Sequence, residues 1–316
     1  MKQPRKSKKQ SLTLIIPVFN EQFALPKFLN ELRPIIAKFQ GNINCQLLFV
    51  NNGSNDSSVQ ILRKELQNWV PAGILTLSRN FGYETALIAG LTFADSDFYG
   101  FCDADGEDPV EIIPKFLDSM RNGFFIALGI RRGRVEAFST RSFRAISYKL
   151  LAKVSDDPFR INGGNFSMFN QVVKNAIIVE NSSFPFLRAT LSRSGYPLEE
   201  FIHNRKPRLD GKSKYRKINL LKFALAGFLT TTTWPLRFIA YISILNVLAI
   251  TIFTIFNYGM ECFYPIILNE FFLFFSTIGI YLARIYKNSL GRPLFYINWI
   301  ESFSFNNHKW PSKVNK

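Results

Sequence analysis

Little in this chain can hold a soft metal or carry redox chemistry. Of 316 residues, three are cysteine and two are histidine. Cys45, Cys102 and Cys262 lie far apart with no C-x-x-C spacing, which excludes a zinc ribbon or a thioredoxin-type dithiol. Cys45 and Cys102 fall in apolar, strand-like runs and read as buried, reduced thiols. His203 and His308 are too few for a His-rich metal site. The G-x-G-x-x-G turn of dinucleotide-binding folds is absent, and so is a Walker A lysine loop. Zinc fingers, RNA-binding aromatic motifs and a basic recognition helix are also missing, so nucleic acid is not an expected partner. No long apolar run follows the basic N-terminus (Lys2, Arg5, Lys6, Lys8, Lys9), so it does not read as a signal peptide. Residues 1–10 are expected to be a disordered basic tail. Acidic residues are scarce, 23 against 39 Lys and Arg for a formal charge of +16, which favours anionic membranes or phosphorylated substrates as partners.

What is present is an alternation of strand and helix. Apolar runs at 12–17, 45–50, 74–77, 98–102 and 125–130 read as buried strands, and helical spacing appears at 25–39, 57–69, 83–93 and 112–121. Near-continuous apolar strands in this alternation predict an α/β fold with a mainly parallel, Rossmann-like sheet covered on both faces. Ligands of such sheets sit beyond the carboxyl ends of the strands. The polar clusters fall there: Asn20-Glu21, Asn51 to Asp56, Ser78 to Gly82, Asp103 to Asp108 and Arg131-Arg132.

The chain is organised around 98–111, FYGFCDADGEDPVE. Asp103 and Asp105, at i and i+2 after a strand, leave the sheet on the same side. Hard divalent cations carried by nucleotide phosphates use one or two carboxylates in this way, with phosphate and water completing the shell. The competing reading is a solvated acidic turn that caps the next helix. With neither common phosphate cradle present, a metal on Asp105, with Asp103 beside it, would neutralise the phosphates.

Beyond 138 the pattern loosens. Helical runs are expected at 141–153, 172–178 and 186–192, with a short strand at 166–169. A basic segment at 204–217 follows. Residues 238–260 are apolar without charge and 263–283 nearly so, each long enough to span the hydrocarbon core of a bilayer. Lys214, Arg216, Lys217, Lys222 and Arg237 precede this pair and Arg284, Lys287 and Arg292 follow it. The connector at 257–262 has no Lys or Arg, so the positive-inside rule predicts a hairpin with both ends cytoplasmic. Residues 218–229 read as an interfacial helix. Glu270 lies within the second span without an assigned role. The expected division is a catalytic domain at 11–217, a juxtamembrane helix at 218–236, a transmembrane hairpin at 237–286 and a cytoplasmic tail at 287–316.

These residues resemble a known family. Pro17-Val18-Phe19-Asn20-Glu21 is similar to the opening of glycosyltransferase family 2. Ser78-Arg79-Asn80-Phe81-Gly82, Asp103-Ala104-Asp105 with Asp108-Pro109, and Gly129-Ile130-Arg131 resemble its polyprenyl-phosphate (dolichyl- or undecaprenyl-phosphate) branch. So do Arg205-x-x-Arg208, Gly211-x-Ser213-Lys214-Tyr215, and, after the hairpin, Arg284-Ile285-Tyr286 with Arg292-Pro293-Leu294. The resemblance runs from Leu12 to Tyr296. It implies a GT-A fold that transfers a sugar from a nucleotide-sugar donor, UDP- or GDP-linked, to a polyprenyl phosphate acceptor at the lipid bilayer. It also implies roles. Pro17, Phe19 and Glu21 would frame the nucleotide, joined on the donor side by Asn52, Ser78 and Asn80. Asp103, Asp105 and Arg131 would be catalytic, with Asp105 the main ligand of Mg²⁺ or Mn²⁺ and Asp103 beside it. Arg205, Arg208, Ser213 and Lys214 would meet the lipid phosphate.

Two departures stand out. Family members usually carry an acidic pair or Asn-Asp where this chain has Asn51-Asn52, so a neutral carbonyl would face the base. Gly106-Glu107 replaces a hydrophobic residue and Gln, and Glu107 would bring another carboxylate towards the metal. A phosphate monoester is largely dianionic at neutral pH and needs positioning more than a strong base, so the expected reaction is direct displacement with inversion. A saccharide acceptor is a competing reading, although no Q-x-x-R-W motif is present. A non-catalytic nucleotide-sugar-binding membrane protein is another. The sugar, the base, the polyprenol length and the pathway are not written in the sequence. A two-span hairpin often gains from self-association, which leaves a homo-oligomer open.

Overall fold

The structure is a computed structural model and describes residues 9–39, 41–132, 163–180, 182–209, 232–255 and 264–306. The expected helices at 141–153 and 218–229, and Ser213 and Lys214, lie outside these residues.

Eight strands form one sheet: β1 (Ser11–Val18), β2 (Asn44–Asn51), β3 (Ala72–Thr76), β4 (Phe98–Phe101), β5 (Ile126–Arg131), β6 (Gly163–Asn170), β7 (Leu198–His203) and β8 (Phe303–Phe305). Their order is β7-β5-β6-β4-β1-β2-β3-β8. The run β4-β1-β2-β3 is parallel throughout, as expected for strands buried on both faces. β6 enters antiparallel between β4 and β5, and β7 pairs parallel with β5. β4, β5 and β7 therefore end at the same edge as β1, β2 and β3.

On one face α1 (Leu25–Ala37), α2 (Ser58–Leu66) and α4 (Ile113–Arg121) bury Phe28, Leu62 and Phe116 against the sheet. On the other, α3 (Tyr83–Phe93), α5 (Gln171–Val179) and α6 (Leu187–Arg193) bury Leu87, Val173 and Leu191 with Tyr99 and Phe169. Each fully buried side chain of this size contributes about 2–3 kcal/mol by leaving water, so the edge loops stand on a rigid base.

Two long apolar helices follow, α7 (Trp234–Ile255) and α8 (Tyr264–Ser289). At 1.5 Å per residue they span roughly 33 and 39 Å, long and apolar enough to cross a membrane. Their outer surfaces expose Leu245, Leu248, Phe271 and Phe272. Between them the Asn246 amide donates to Glu270 Oε2 at 2.5 Å and Tyr281 OH donates to the Thr232 carbonyl at 3.0 Å.

The end of α8 rests on the catalytic domain. The Ser183 N–H donates to Asn288 Oδ1 (2.9 Å), and Arg284 and Lys287 lie over the Phe184 ring. Part of the stretch expected as a tail then returns to the sheet. Ile297 bridges Leu77, β8 pairs antiparallel with β3, and Leu294 and Phe295 pack on the second core.

Candidate active site

The edge where the parallel strands end carries two kinds of loop. After β1, β2 and β3 the loops are joined mostly by neutral hydrogen bonds, together with the Asp56 carboxylate, which accepts from Gln22 N (3.1 Å) and Ser58 N (3.0 Å). Ser54 Oγ accepts from Asn20 N (3.0 Å), Ser58 Oγ from Glu21 N (2.8 Å) and Asn20 Oδ1 from Asn55 N (2.8 Å). Asn51 Oδ1 accepts from Ser54 N at 2.9 Å. Asn52 reaches across to the next loop: its Oδ1 accepts from Phe81 N (2.9 Å) and its Nδ2 donates to the Gly82 carbonyl (3.1 Å) and Asn80 Oδ1 (3.3 Å). An aspartate could make the first of these bonds but not the last two. At Gly53, φ is +74° and a Cβ would lie 2.7 Å from the Arg79 carbonyl carbon, so these loops pack backbone to backbone. Pro17, Phe19 and Glu21 are half-buried along this side, and Ser78 and Asn80 are exposed at its rim.

After β4, β5 and β7 the groups are charged. Asp108, 1% exposed, accepts two bonds from Arg131 (Nε 3.0 Å, Nη2 2.7 Å) and meets His203 Nε2 at 3.2 Å. Burial pushes Asp108 up, but the bonds from His203 and Arg131 outweigh it and hold the carboxyl below the usual range. Arg131 is correspondingly held further towards its charged form. Asp103 accepts from Tyr83 OH at 2.6 Å and lies 3.9 Å from Arg131 Nη2. Burial first, then the charges of Asp105 and Asp108, push Asp103 up to about 7. Asp105, 8% exposed, is raised by burial, against the pull of Arg208, whose Nη2 donates to its Oδ2 at 2.8 Å. Glu107 pairs with Arg205 and has Arg208 Nε at 3.9 Å.

Four of the charged residues singled out in the sequence, Asp103, Asp105, Arg131 and Arg208, thus converge within one connected group, and Arg205 joins through Glu107. Tyr83 and His203 belong to the same group and were missed. Tyr83 carries no signal beyond following the Ser78–Gly82 turn, and a lone histidine points to nothing until β7 is placed in the sheet.

Among the described residues, no group of three or more His, Cys, Asp or Glu side chains is placed to hold a metal by itself. Asp108 is already taken by Arg131 and His203. Asp103 and Asp105 remain as two hard oxygen donors in a patch whose negative charges raise one another's proton affinity. That set fits a cation arriving with a diphosphate rather than a protein-only cage. A positive group already stands at Asp105: the Arg208 guanidinium.

Several known proteins are similar to this chain. The model of the family described as "Glycosyl transferase family 2" matches residues 13–184. The bactoprenol glucosyl transferase of Shigella phage SfV is 30% identical over 304 residues, covering 90% of this chain and 97% of its own. An uncharacterized glycosyltransferase of Bacillus subtilis, YkcC, is 28% identical, over 90% and 92%. The undecaprenyl-phosphate 4-deoxy-4-formamido-L-arabinose transferase of Proteus mirabilis is 27% identical, over 90% and 92%. Among solved structures, glucosyl-3-phosphoglycerate synthase from Mycobacterium tuberculosis superposes with a TM-score of 0.46 at 14% identity, covering 70% of this chain and 79% of that one.

Proposed function

For a chain that belongs to glycosyl transferase family 2, with the GT-A architecture described above, we propose that it transfers a sugar from a UDP- or GDP-sugar to a polyprenyl phosphate at the cytoplasmic face of a membrane. The observation that carries this reading is the meeting of Asp103 and Asp105 with Arg131, Arg205 and Arg208 at one sheet edge. Relatives named for bactoprenol and for undecaprenyl phosphate support the acceptor. Two apolar helices, with Arg284 and Lys287 at the end that meets the catalytic domain, support a hairpin with both ends cytoplasmic.

A lipid phosphate oxygen attacks the anomeric carbon from the face opposite the nucleotide. The bond from that carbon to the diphosphate oxygen breaks, its electron pair leaves with the nucleoside diphosphate, and the configuration inverts. Mg²⁺ or Mn²⁺, bound through Asp105 and Asp103 together with the diphosphate, would supply charge neutralisation of the leaving group. Arg131 is fixed by two bonds to buried Asp108, so its guanidinium is preorganised towards the donor and Asp103. Tyr83 fixes the carboxylate of Asp103. Arg205 and Arg208, on the basic segment that leads towards the hairpin, bind the acceptor phosphate, with Ser213 and Lys214 further along. The neutral loops carrying Pro17, Phe19, Glu21, Asn52, Ser78 and Asn80 hold the nucleoside. The attacking oxygen is already anionic at neutral pH, so no strong base is required.

The test uses membranes carrying the full chain, a panel of UDP- and GDP-sugars, short and long polyprenyl phosphates, and Mg²⁺, Mn²⁺ or EDTA. An organic-extractable glycolipid that EDTA abolishes is expected. Transfer to free saccharide, or none from any donor by folded and inserted protein, would overturn the reading.

A further inference from the structure

The segment that leaves β7 does not run free over the acidic turn. Its backbone pairs with it: Lys206 N donates to the Glu107 carbonyl at 2.8 Å and Leu209 N to the Asp105 carbonyl at 3.0 Å. Leu209 sits on Gly106, whose φ is +72° and where a Cβ would come within 2.2 Å of Leu209 Cδ1. A side chain at 106 would displace the Leu209 side chain and strain the left-handed backbone there. Glycine, the first half of this chain's departure at Gly106-Glu107, therefore permits the close approach.

Between Arg205 and Arg208, Lys206 has carboxylate partners of its own. Its Nζ lies 2.8 Å from Glu111 Oε1 and 3.0 Å from Glu31 Oε2. Glu111 belongs to the one-turn helix Val110–Ile112 that continues the acidic turn, and Glu31 lies in the middle of α1. One ammonium thus ties three pieces of chain together, through carboxylates other than those that Arg205 and Arg208 meet. Burial works against both charges, yet the pairing holds Lys206 above and Glu111 below their ordinary values. A single exposed ion pair contributes little, but an ammonium shared by two carboxylates and backed by two backbone bonds is a network.

We propose that Lys206 is a positioning residue: with Glu31 and Glu111 it staples residues 204–209 to the catalytic domain, so that Arg205 and Arg208 are presented to the acceptor phosphate in fixed register. This deepens the proposed function and rests on it for the identity of the acceptor. Glu31 and Glu111 are not among the residues proposed to hold the donor, so loss of the staple should be felt by the acceptor. Arg208 can leave Asp105 without the segment coming away, because Lys206 holds it through other carboxylates.

The experiment compares the full chain with Lys206→Met, Lys206→Arg and the double variant Glu31→Gln/Glu111→Gln in lipid nanodiscs. Hydrogen exchange at the amides of positions 206 and 209 should become about tenfold faster in Lys206→Met and in the double variant, with β1 and β4 unchanged. KM for polyprenyl phosphate should rise by about tenfold while kcat and KM for the nucleotide-sugar stay within about twofold. Lys206→Arg should restore both readouts. Unchanged exchange in Lys206→Met, or a loss spread equally over donor KM, acceptor KM and kcat, would overturn the proposal. Faster exchange in a protein whose wild type makes no glycolipid would uphold the staple and refute the acceptor instead.

Discussion

The two halves of the strand-end edge are built from different chemistry. The half after β1, β2 and β3 is stitched mainly by amides and hydroxyls, Asn20, Asn51, Asn52, Ser54, Ser58 and Asn80, with the Asp56 carboxylate bonded to backbone N–H groups. The half after β4, β5 and β7 is stitched by charge, Asp103, Asp105, Asp108, Arg131 and Arg208, with the His203 ring bonded to Asp108. Neutral, short-range bonds between loops fix one shape and have no reason to rearrange when a ligand arrives. Carboxylates matched by guanidinium groups can exchange one partner for another of the same sign. The comparison teaches where each task belongs: the neutral half is a preset cradle, and the charged half is poised for exchange.

Within the charged half there is a further division. Asp108 is fully covered and twice bonded to Arg131, whereas Asp105 takes one bond from Arg208, which is 21% exposed, and one from Glu107 N. The first pair is architecture and the second can be replaced.

The largest effect should come from removing the replaceable carboxylate. Asp105→Ala should lower transfer by about 10²–10³-fold, on the scale of losing one electrostatic anchor, while membrane insertion and thermal unfolding stay near wild type. Substantial turnover would show that Asp105 is not the metal's anchor. Next, Asp108→Ala should destabilise the protein by about 3 kcal/mol, because Arg131 would be left without its buried partner. Thermal unfolding in detergent reads this, and a shift no larger than that of Asp105→Ala would erase the distinction between the two pairs.

On the neutral half, Asn52→Asp should cost about 1–2 kcal/mol, because the Gly82 carbonyl loses a donor and faces an anion instead. A stabilised variant would mean that the loops tolerate charge and that the contrast between halves is false. A smaller effect concerns pH. Asp103 in the folded, metal-free protein holds its proton up to about 7, against an ordinary 3.8. The folded form therefore binds this proton more tightly than the unfolded chain. The stabilisation is complete below the unfolded value and is lost as pH rises through the folded one. Melting temperature in EDTA should fall between about pH 4 and pH 7, and Asp103→Asn should flatten that fall. An identical slope in the two proteins would refute the assignment.

Much of this edge was legible in the sequence because strands buried on both faces write themselves as apolar runs, and the polar residues that end them mark one side of the sheet. The acidic turn and Arg131 were found that way, whereas the Arg205–Arg208 segment stood out as a basic run ahead of the apolar spans and through the family resemblance. β7 was not, since Leu-Glu-Glu-Phe-Ile-His mixes two glutamates with apolar residues, as an edge strand does. With β7 unplaced, His203 could not be matched to Asp108, 95 residues away. β8 has only three residues and pairs with a strand more than 200 positions earlier, a contact no local pattern announces. At Asn52, chemistry rather than topology was hidden. Its carbonyl, expected to face a base, is taken by Phe81 N, and its amide is needed at Gly82.

The claim that Arg208 keeps the place of a cation on Asp105 is tested most directly by Mn²⁺ binding without nucleotide, followed by electron paramagnetic resonance, in the wild type and in Arg208→Gln. Removing an internal competitor worth up to about 1 kcal/mol should tighten Mn²⁺ binding by about fivefold. Unchanged or weaker binding in Arg208→Gln would contradict the account.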